Sequence, residues 1–314
     1  MTKRRVLITG ALGQIGSELA LYLRDCYGED NVLATDLSDK KERALPEMHF
    51  EPLDVTDRKR LHELVKEYRI DTIINLAAIL SATGEKLPNL TWEVNMGGLV
   101  NVLEVARAEN CSVFTPSSIA AFGDSTPKVL TPQVTIQRPS TMYGVTKVAG
   151  EVLCDYYHKR FGLDTRGVRY PGIISYKTLP GGGTTDYAVH IYYAALQKKA
   201  YTSFIAEGTK MDMMYMPDAL KAVVDLIEAD PARLVNRNAF NVTAMSFAPE
   251  ELAEAIRKQI PDFELSYDVD PIRQAIADSW PDSLDDHCAR EEWDWSPEYD
   301  IDRMTEDMIR NISI

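Results

Sequence analysis

Tyr143 and Lys147 stand four residues apart in the run Tyr143-Gly144-Val145-Thr146-Lys147. On a helix that spacing places a phenol and an ammonium on one face, one turn apart. The cation stabilises a tyrosinate, so the phenol is equipped to take a proton from an alcohol while the carbinol carbon gives up a hydride. The plain alternative for such a pair is a solvated surface contact. Pro116-Ser117-Ser118, upstream of it, offers a hydroxyl that can hydrogen-bond the alcohol oxygen and turn it toward Tyr143. A polar strand-end turn would use the same residues.

A departing hydride needs an acceptor, and the N-terminal segment is built to hold one. Gly10-Ala11-Leu12-Gly13-Gln14-Ile15-Gly16 follows an apolar run and opens a periodic one. Glycines there let the backbone turn sharply and approach a pyrophosphate, while the helix start offers N–H groups and a positive dipole end. The spacing is GxxGxxG, which a tight turn without ligand can also adopt. Asp36, twenty residues after Gly16, is placed to accept hydrogen bonds from ribose hydroxyls and would repel a 2′-phosphate, favouring NAD over NADP. A cap before Ser38 and Asp39 is its other reading. Leu53, Asp54 and Val55, and Leu76, Ala77 and Ala78 after Asn75, follow the next strands, where small residues admit adenine and ribose. Asp57 is read as the cap of a helix.

The elements that position these residues are legible as an alternation. Residues 6–9, 32–35, 72–76 and 113–115 read as buried strands. Residues 14–27, 57–68, 89–109 and 141–161 read as helices, with apolar side chains at i, i+3 and i+4. Strand-helix alternation of this kind gives a parallel, doubly wound Rossmann-type sheet with right-handed crossovers. The regularity weakens beyond residue 170, where a glycine turn at Gly181-Gly182-Gly183 and helices at 216–228, 249–258 and 301–312 indicate a smaller C-terminal α/β lobe. The expected division is a cofactor domain over 1–170, with segments around 200–240 returning to it, and a substrate lobe over 171–314.

Composition narrows the partners. With 34 basic and 48 acidic residues in 314, the net charge is −14, which disfavours nucleic acid and anionic membranes as partners. No apolar run nears the roughly 20 residues that span a bilayer, and no signal-peptide core is present, so the expectation is a cytoplasmic protein. Four separate cysteines suggest neither a disulfide framework nor a zinc ribbon. His49, His62, His158 and His287 have no partners at metal-ligand spacing, so no metal site is expected; His190, one turn beyond Asp186, is a candidate to line a pocket.

Taken together, Gly10/Gly13/Gly16, Asp36, Asn75-Leu76-Ala77-Ala78, Ser117-Ser118, Tyr143/Lys147 and Arg169-Tyr170-Pro171-Gly172 occur in the order of the extended short-chain dehydrogenases, the superfamily of nucleotide-sugar epimerases and dehydratases. Within it the chain resembles the short-chain-type L-threonine 3-dehydrogenases. The likeness is carried by Pro116 to Gly123, Arg138 to Lys147, Gly181 to Ala188, Met211 to Ala219 and Ile276 to Pro281. The resemblance implies that Tyr143 is the general base, Lys147 its electrostatic partner, and Ser117 or Ser118 the orienting serine, with Ser118 at the usual position when counted from Phe122-Gly123. It also implies that Asn95, Tyr170, Pro171 and Ile173 join the NAD site. Leu80, Ser81, Gly183, Thr184, Thr185, Asp186 and Trp280 would form the amino-acid pocket with Ser118 and Tyr143.

That pocket suits an α-amino acid. Asp186 can serve the ammonium, Ser81 and Thr184 the carboxylate, and Trp280 can exclude water. The other readings are a helix cap for Asp186 and core for Trp280. The expected activity is NAD-dependent oxidation of the L-threonine 3-hydroxyl by a homodimer paired through helices 89–109 and 141–161. A nucleotide-sugar epimerase or dehydratase is the alternative; it would want basic residues where 240–314 is acidic. A non-catalytic NAD(H)-binding regulator is the second, and it would not need Ser, Tyr and Lys together.

Overall fold

The computed structural model describes residues 4–39, 45, 47–177 and 183–313. The chain divides into two units. The first comprises residues 1–121, 140–169 and 220–240 and is built on a six-stranded, wholly parallel sheet. Its strands are β1 (Val6–Thr9), β2 (Val32–Asp36), β3 (His49–Pro52), β4 (Thr72–Asn75), β5 (Ser112–Phe114) and, after the short β6 (Ser117–Ser118), β7 (Thr165–Arg166). The spatial order β3-β2-β1-β4-β5-β7 reverses between β1 and β4, which opens a crevice at their carboxyl ends. This is a Rossmann-type α/β fold.

The inner strands are Val, Ile and Leu on both faces because helices cover both faces. The helices are α1 (Gln14–Tyr27), α2 (Arg58–Glu67), α3 (Ser81–Lys86), α4 (Pro88–Trp92), α5 (Gly98–Glu109) and α6 (Met142–Phe161). Leu7, Leu33 and Ile73 of the sheet pack with Leu61 and Leu64 of α2 and Leu103 of α5, all buried. Burial of each such side chain contributes about 1.5–3 kcal/mol.

The sequence pattern predicts one helix over 89–109. The structure instead breaks it into α4, a π-helical turn at Glu93–Gly97 and α5. The apolar stripe runs through the break unaltered, which is why periodicity alone misses it. Gly98 lies just past the turn, where any Cβ would strike Val55 Cγ1 at 2.6 Å.

The second unit comprises residues 122–139, 170–219 and 241–314. The chain crosses into it at β8 (Val168–Tyr170), then forms β9 (Gly172–Ile174), β10 (Ala200–Ser203), β11 (Met211–Tyr215), β12 (Phe240–Asn241), β13 (Met245–Phe247) and β14 (Glu264–Tyr267). β11 lies between parallel β9 and antiparallel β13, while β10 and β14 form a separate parallel pair. Its helices are α7 (Tyr187–Lys198), α8 (Met216–Glu228), α9 (Pro249–Arg257), α10 (Pro271–Ser279), α11 (His287–Trp293) and α12 (Ile301–Asn311). α8 begins in this unit and ends in the first.

Two boundaries differ from those expected. Residues 200–219 stay in the second unit, and only 220–240 return to the first. Residues 122–139, expected in the cofactor domain, belong to the second unit, where Lys128 O accepts from Asp282 N (2.9 Å) and Thr131 N donates to Ser283 O (2.9 Å). The returning segment is fastened by arginines: Arg166 donates to Leu226 O (2.7 Å) and Ala229 O (2.8 Å), and Arg4 to Ile227 O (2.7 Å), satisfying carbonyls at the end of α8. No described helix is long and apolar enough to cross a membrane.

Candidate active site

β1 runs straight into the glycine turn. Gly10 has φ +69°, and a Cβ there would sit 2.8 Å from Ala77 N; a Cβ on Gly16 would fall against Gly10 O. The bare backbone therefore lets α1 start tight against the strand. α1 opens at Gln14 from Gly13 with no side-chain cap, so its first-turn N–H groups have no acceptor within the helix. Gln14 Nε2 is buried with no hydrogen-bond partner. An uncapped helix start, a cradle that any Cβ would fill and an orphaned buried donor together fit a dinucleotide pyrophosphate.

Asp36 ends β2 beside this turn. Its Oδ2 accepts from Leu12 N (2.9 Å) and its Oδ1 from Ser38 N (3.1 Å), so the carboxylate braces the loop. Leu53 N donates to Asp36 O (2.8 Å). Leu53 and Val55 are buried, and Asp54 Oδ1 accepts from Thr56 N (2.9 Å), shaping a turn. Asp57 caps α2 through Arg60 N (3.0 Å). Asn101, which carries no motif in the sequence, donates to Val55 O and Thr56 O (3.1 and 3.0 Å) and fixes this loop.

From β4, Leu76 N donates to Thr9 O (3.1 Å) and Ala77 N to Thr9 Oγ1 (3.2 Å), which brings Leu76-Ala77-Ala78 alongside Gly10. Asn95 lies in the π-helical turn. Its Oδ1 accepts from Ile79 N (2.8 Å), and its Nδ2 donates to Ile79 O and Thr146 Oγ1 (both 3.1 Å). Asn95 thus links the segment after β4 to the first turn of α6. Leu80 and Ser81 follow at the start of α3, Leu80 being exposed.

That first turn carries the phenol. Thr141 caps α6 by accepting from Gly144 N (3.1 Å), and Glu85 Oε1 accepts from Met142 N (2.7 Å). Thr146 Oγ1 donates to Tyr143 O (2.7 Å). Lys147 Nζ sits 5.2 Å from the centre of the Tyr143 ring and donates to Pro116 O (2.8 Å), so helical spacing does bring phenol and ammonium together. The two serines differ. Ser117 is buried and its hydroxyl donates to Glu151, whereas Ser118 Oγ accepts from Ala120 N (3.2 Å) and is only half-buried. Glu151 is itself paired with Arg169 (Nη2 to Oε2, 2.8 Å). A polar cavity bordered by Asn75, Asn95, Thr115, Lys147 and Glu151 lies behind the phenol-bearing turn. Glu151 was not singled out in the sequence, although its place four residues after Lys147 puts it on the same helical face.

The remaining candidates lie in the second unit. Tyr170 is buried and its hydroxyl donates to Ala219 O (2.6 Å); burial raises its pKa. Pro171 follows it, and Ile173 pairs with Met214 in the sheet. Gly172 has no room for a Cβ because Thr185 Cγ2 would be 2.7 Å away, and this lets the 183–186 turn lie on β9. In that turn Asp186 is buried and its Oδ2 accepts from Gly183 N (2.5 Å). The carboxylate thus closes the 183–186 turn, and its side chain does not cap α7, the helix that follows. Thr184 is buried and Thr185 partly so; Gly181 and Gly182 lie outside the described residues. Trp280 is buried at the end of α10, with its backbone N–H donating to Ala277 O (3.0 Å). His190 is exposed on α7.

Asp212, on β11, went unnoticed in the sequence. It is wholly buried, with Oδ1 accepting from Thr243 Oγ1 (2.6 Å) and Oδ2 from Leu284 N (2.7 Å). Burial, with a smaller push from Asp286, raises its carboxyl to about 8. It holds the segment just beyond Trp280. Among the described residues, no three His, Cys, Asp or Glu side chains are grouped to hold a metal ion.

The chain is 59% identical over 310 residues to an uncharacterized epimerase/dehydratase of Staphylococcus aureus, covering 98% of this chain and 97% of that protein. It is also similar to the solved L-threonine dehydrogenase of Clostridium difficile, with 61% identity, TM-score 0.98 and coverage of 99% and 98%. A solved monomeric L-threonine 3-dehydrogenase from a metagenome matches with 46% identity, TM-score 0.93 and 98% of each chain. Residues 6–242, which hold the glycine turn, both serines and the Tyr143/Lys147 pair, match the model of one family, and the chain belongs to it: the NAD dependent epimerase/dehydratase family.

Proposed function

We propose that this chain is an NAD-dependent L-threonine 3-dehydrogenase, converting L-threonine and NAD+ into 2-amino-3-oxobutanoate, NADH and a proton. The observation that carries the reading is the Tyr143/Lys147 pair, with Lys147 tethered to Pro116 O two residues before Ser118. The high identity to solved threonine dehydrogenases supports the choice of substrate. Gly10, Gly13, Gln14, Ile15 and Gly16 would hold the pyrophosphate. Asp36 would take the adenosine ribose, Leu53 to Val55 and Leu76 to Ala78 the adenine side, and Lys147 the nicotinamide ribose.

Bound NAD supplies the hydride acceptor. Tyr143 takes the proton of the 3-hydroxyl, Lys147 stabilises the resulting charge distribution, and the Ser118 hydroxyl orients the alcohol oxygen. Ser81, Thr184, Thr185 and Asp186 are assigned to the amino acid's charged groups, with Trp280 excluding water. Asp186 also accepts from Gly183 N, and its negative charge is what assigns it to the ammonium. The reading includes a homodimer formed through the exposed face of α5 and α6.

The test is NADH absorbance with L-threonine, L-allo-threonine, L-serine and UDP-galactose supplied in parallel. NADH formation with L-threonine is expected. Epimerisation and dehydration return the hydride to the sugar and leave no net NADH, so the UDP-galactose arm is also followed by chromatography, and sugar turnover without NADH formation from L-threonine would replace the reading with one of those activities. Tyr143→Phe should bind NAD within a few-fold of wild type and lose about 10²–10⁴-fold in turnover, the range for a lost general base. Unchanged turnover would remove Tyr143 from its role, and no turnover of any substrate by the wild-type chain would leave the cofactor-sensing alternative.

A further inference from the structure

The first unit contains a buried polar assembly that the proposed chemistry does not use. Along α6, Tyr143, Lys147 and Glu151 recur every four residues on one face. The second and third of them grip consecutive residues of one extended segment: Lys147 Nζ donates to Pro116 O, and Glu151 receives the Ser117 hydroxyl. Glu151 is locked in turn by Arg169, whose Nε and Nη2 donate to its two oxygens at 3.0 and 2.8 Å. All three side chains, Ser117, Glu151 and Arg169, are at most 9% exposed. A surface pair adds little order, but a buried, bidentate and fully engaged one defines a single geometry.

Neighbouring side chains of an extended segment point to opposite sides. Anchoring Ser117 inward on Glu151 therefore turns Ser118 outward. Ser118 Oγ accepts from Ala120 N, and that contact leaves its own hydrogen to donate. We propose that Glu151 is a positioning residue: by accepting from Ser117 it fixes the 116–118 segment on α6, so that Ser118 rather than Ser117 meets the reacting alcohol and Lys147 keeps its tether. The catalytic part of this inference rests on the proposed dehydrogenase function; the anchoring part does not.

Removing either charge alone would strand the other in the interior, so the test replaces the pair together. Glu151→Gln/Arg169→Met keeps an acceptor for Ser117 and removes both charges. Glu151→Leu/Arg169→Met also removes both charges but abolishes the acceptor. Ser117→Ala removes the donor without touching charge. Two readouts are taken for each variant with confirmed cooperative unfolding: steady-state kinetics with L-threonine and NAD, and amide hydrogen exchange of the peptide covering 115–121.

The Gln/Met combination should hold kcat within about three-fold of wild type. The Leu/Met combination and Ser117→Ala should lose about 10- to 100-fold in kcat with KM for NAD nearly unchanged, the scale expected for a misplaced orienting group. In those two variants, and not in the Gln/Met one, the 115–121 amides should exchange at least ten-fold faster. Ser118→Ala should lose kcat without changing exchange. Equal kcat in the Gln/Met and Leu/Met variants, or unchanged exchange in Ser117→Ala, would overturn the proposal. A wild-type chain that oxidises no threonine would defeat the proposed function, while the exchange rates would still decide whether Glu151 anchors the segment.

Discussion

At the glycine turn, side-chain absence matters as much as side-chain chemistry. A methyl on Gly16 would fall against Gly10 O and within 2.8 Å of Ala11 Cα, and neither backbone atom can move without displacing β1 or α1. Gly16→Ala should therefore weaken NADH binding by about 10- to 100-fold and lower the melting temperature, as overpacking at about 1–3 kcal/mol implies. Fluorescence titration with NADH and thermal unfolding check both; an unaltered dissociation constant would mean that the turn does not hold the cofactor. Gly10, Gly16, Asp36, Tyr143 and Lys147 were all legible as types at spacings, because each depends on a local backbone feature. Glu151 and Asn101 were not, since an acidic or amide side chain on a helix reads as solvated until its distant partner is known.

Among the elements, those with a local period were readable: β1, α1, α2 and α6 begin and end within a residue or two of the pattern. What escaped were features fixed by distant partners. The π-helical turn at Glu93–Gly97 lets Asn95 reach Ile79 and Thr146, and the 122–139 segment is held by residues 282–283, some 150 positions later in the chain. β11 shows the same dependence in its titration. Asp212 is held at about 8 in the fold, whereas an unfolded aspartate titrates near ~3.9. The native state therefore binds this proton more tightly, and its contribution to stability, complete below about pH 4, is lost as pH rises to about 8. Asp212→Asn keeps an acceptor for Leu284 N and a donor for Thr243 Oγ1 without titrating. Melting temperatures measured from pH 5 to 8 should fall more steeply for wild type than for Asp212→Asn, and parallel slopes would contradict the raised carboxyl.

For the molecule as a whole, α6 presents two faces. One carries the Tyr143, Lys147 and Glu151 stripe, half-buried at the first two and buried at the third. The other exposes Val145, Val152 and Tyr156 at spacings of seven and four, with Val152 62% exposed and Tyr156 53%, an apolar strip of the kind that a second copy covers. Sedimentation equilibrium should return twice the mass of the chain for wild type and the single-chain mass for Val152→Glu, with NAD binding retained in both. A single-chain mass for wild type would remove the homodimer from the proposed function.

The arginine clasp at the end of α8 also bears on how the molecule is made. A nascent polypeptide that has emerged only through residue 170 already possesses all six strands of the nucleotide-binding sheet. Arg4 and Arg166 then extend toward carbonyl groups that translation has yet to produce. That half can finish folding only once about seventy more amino acids, most of them belonging to its neighbour, have left the ribosome.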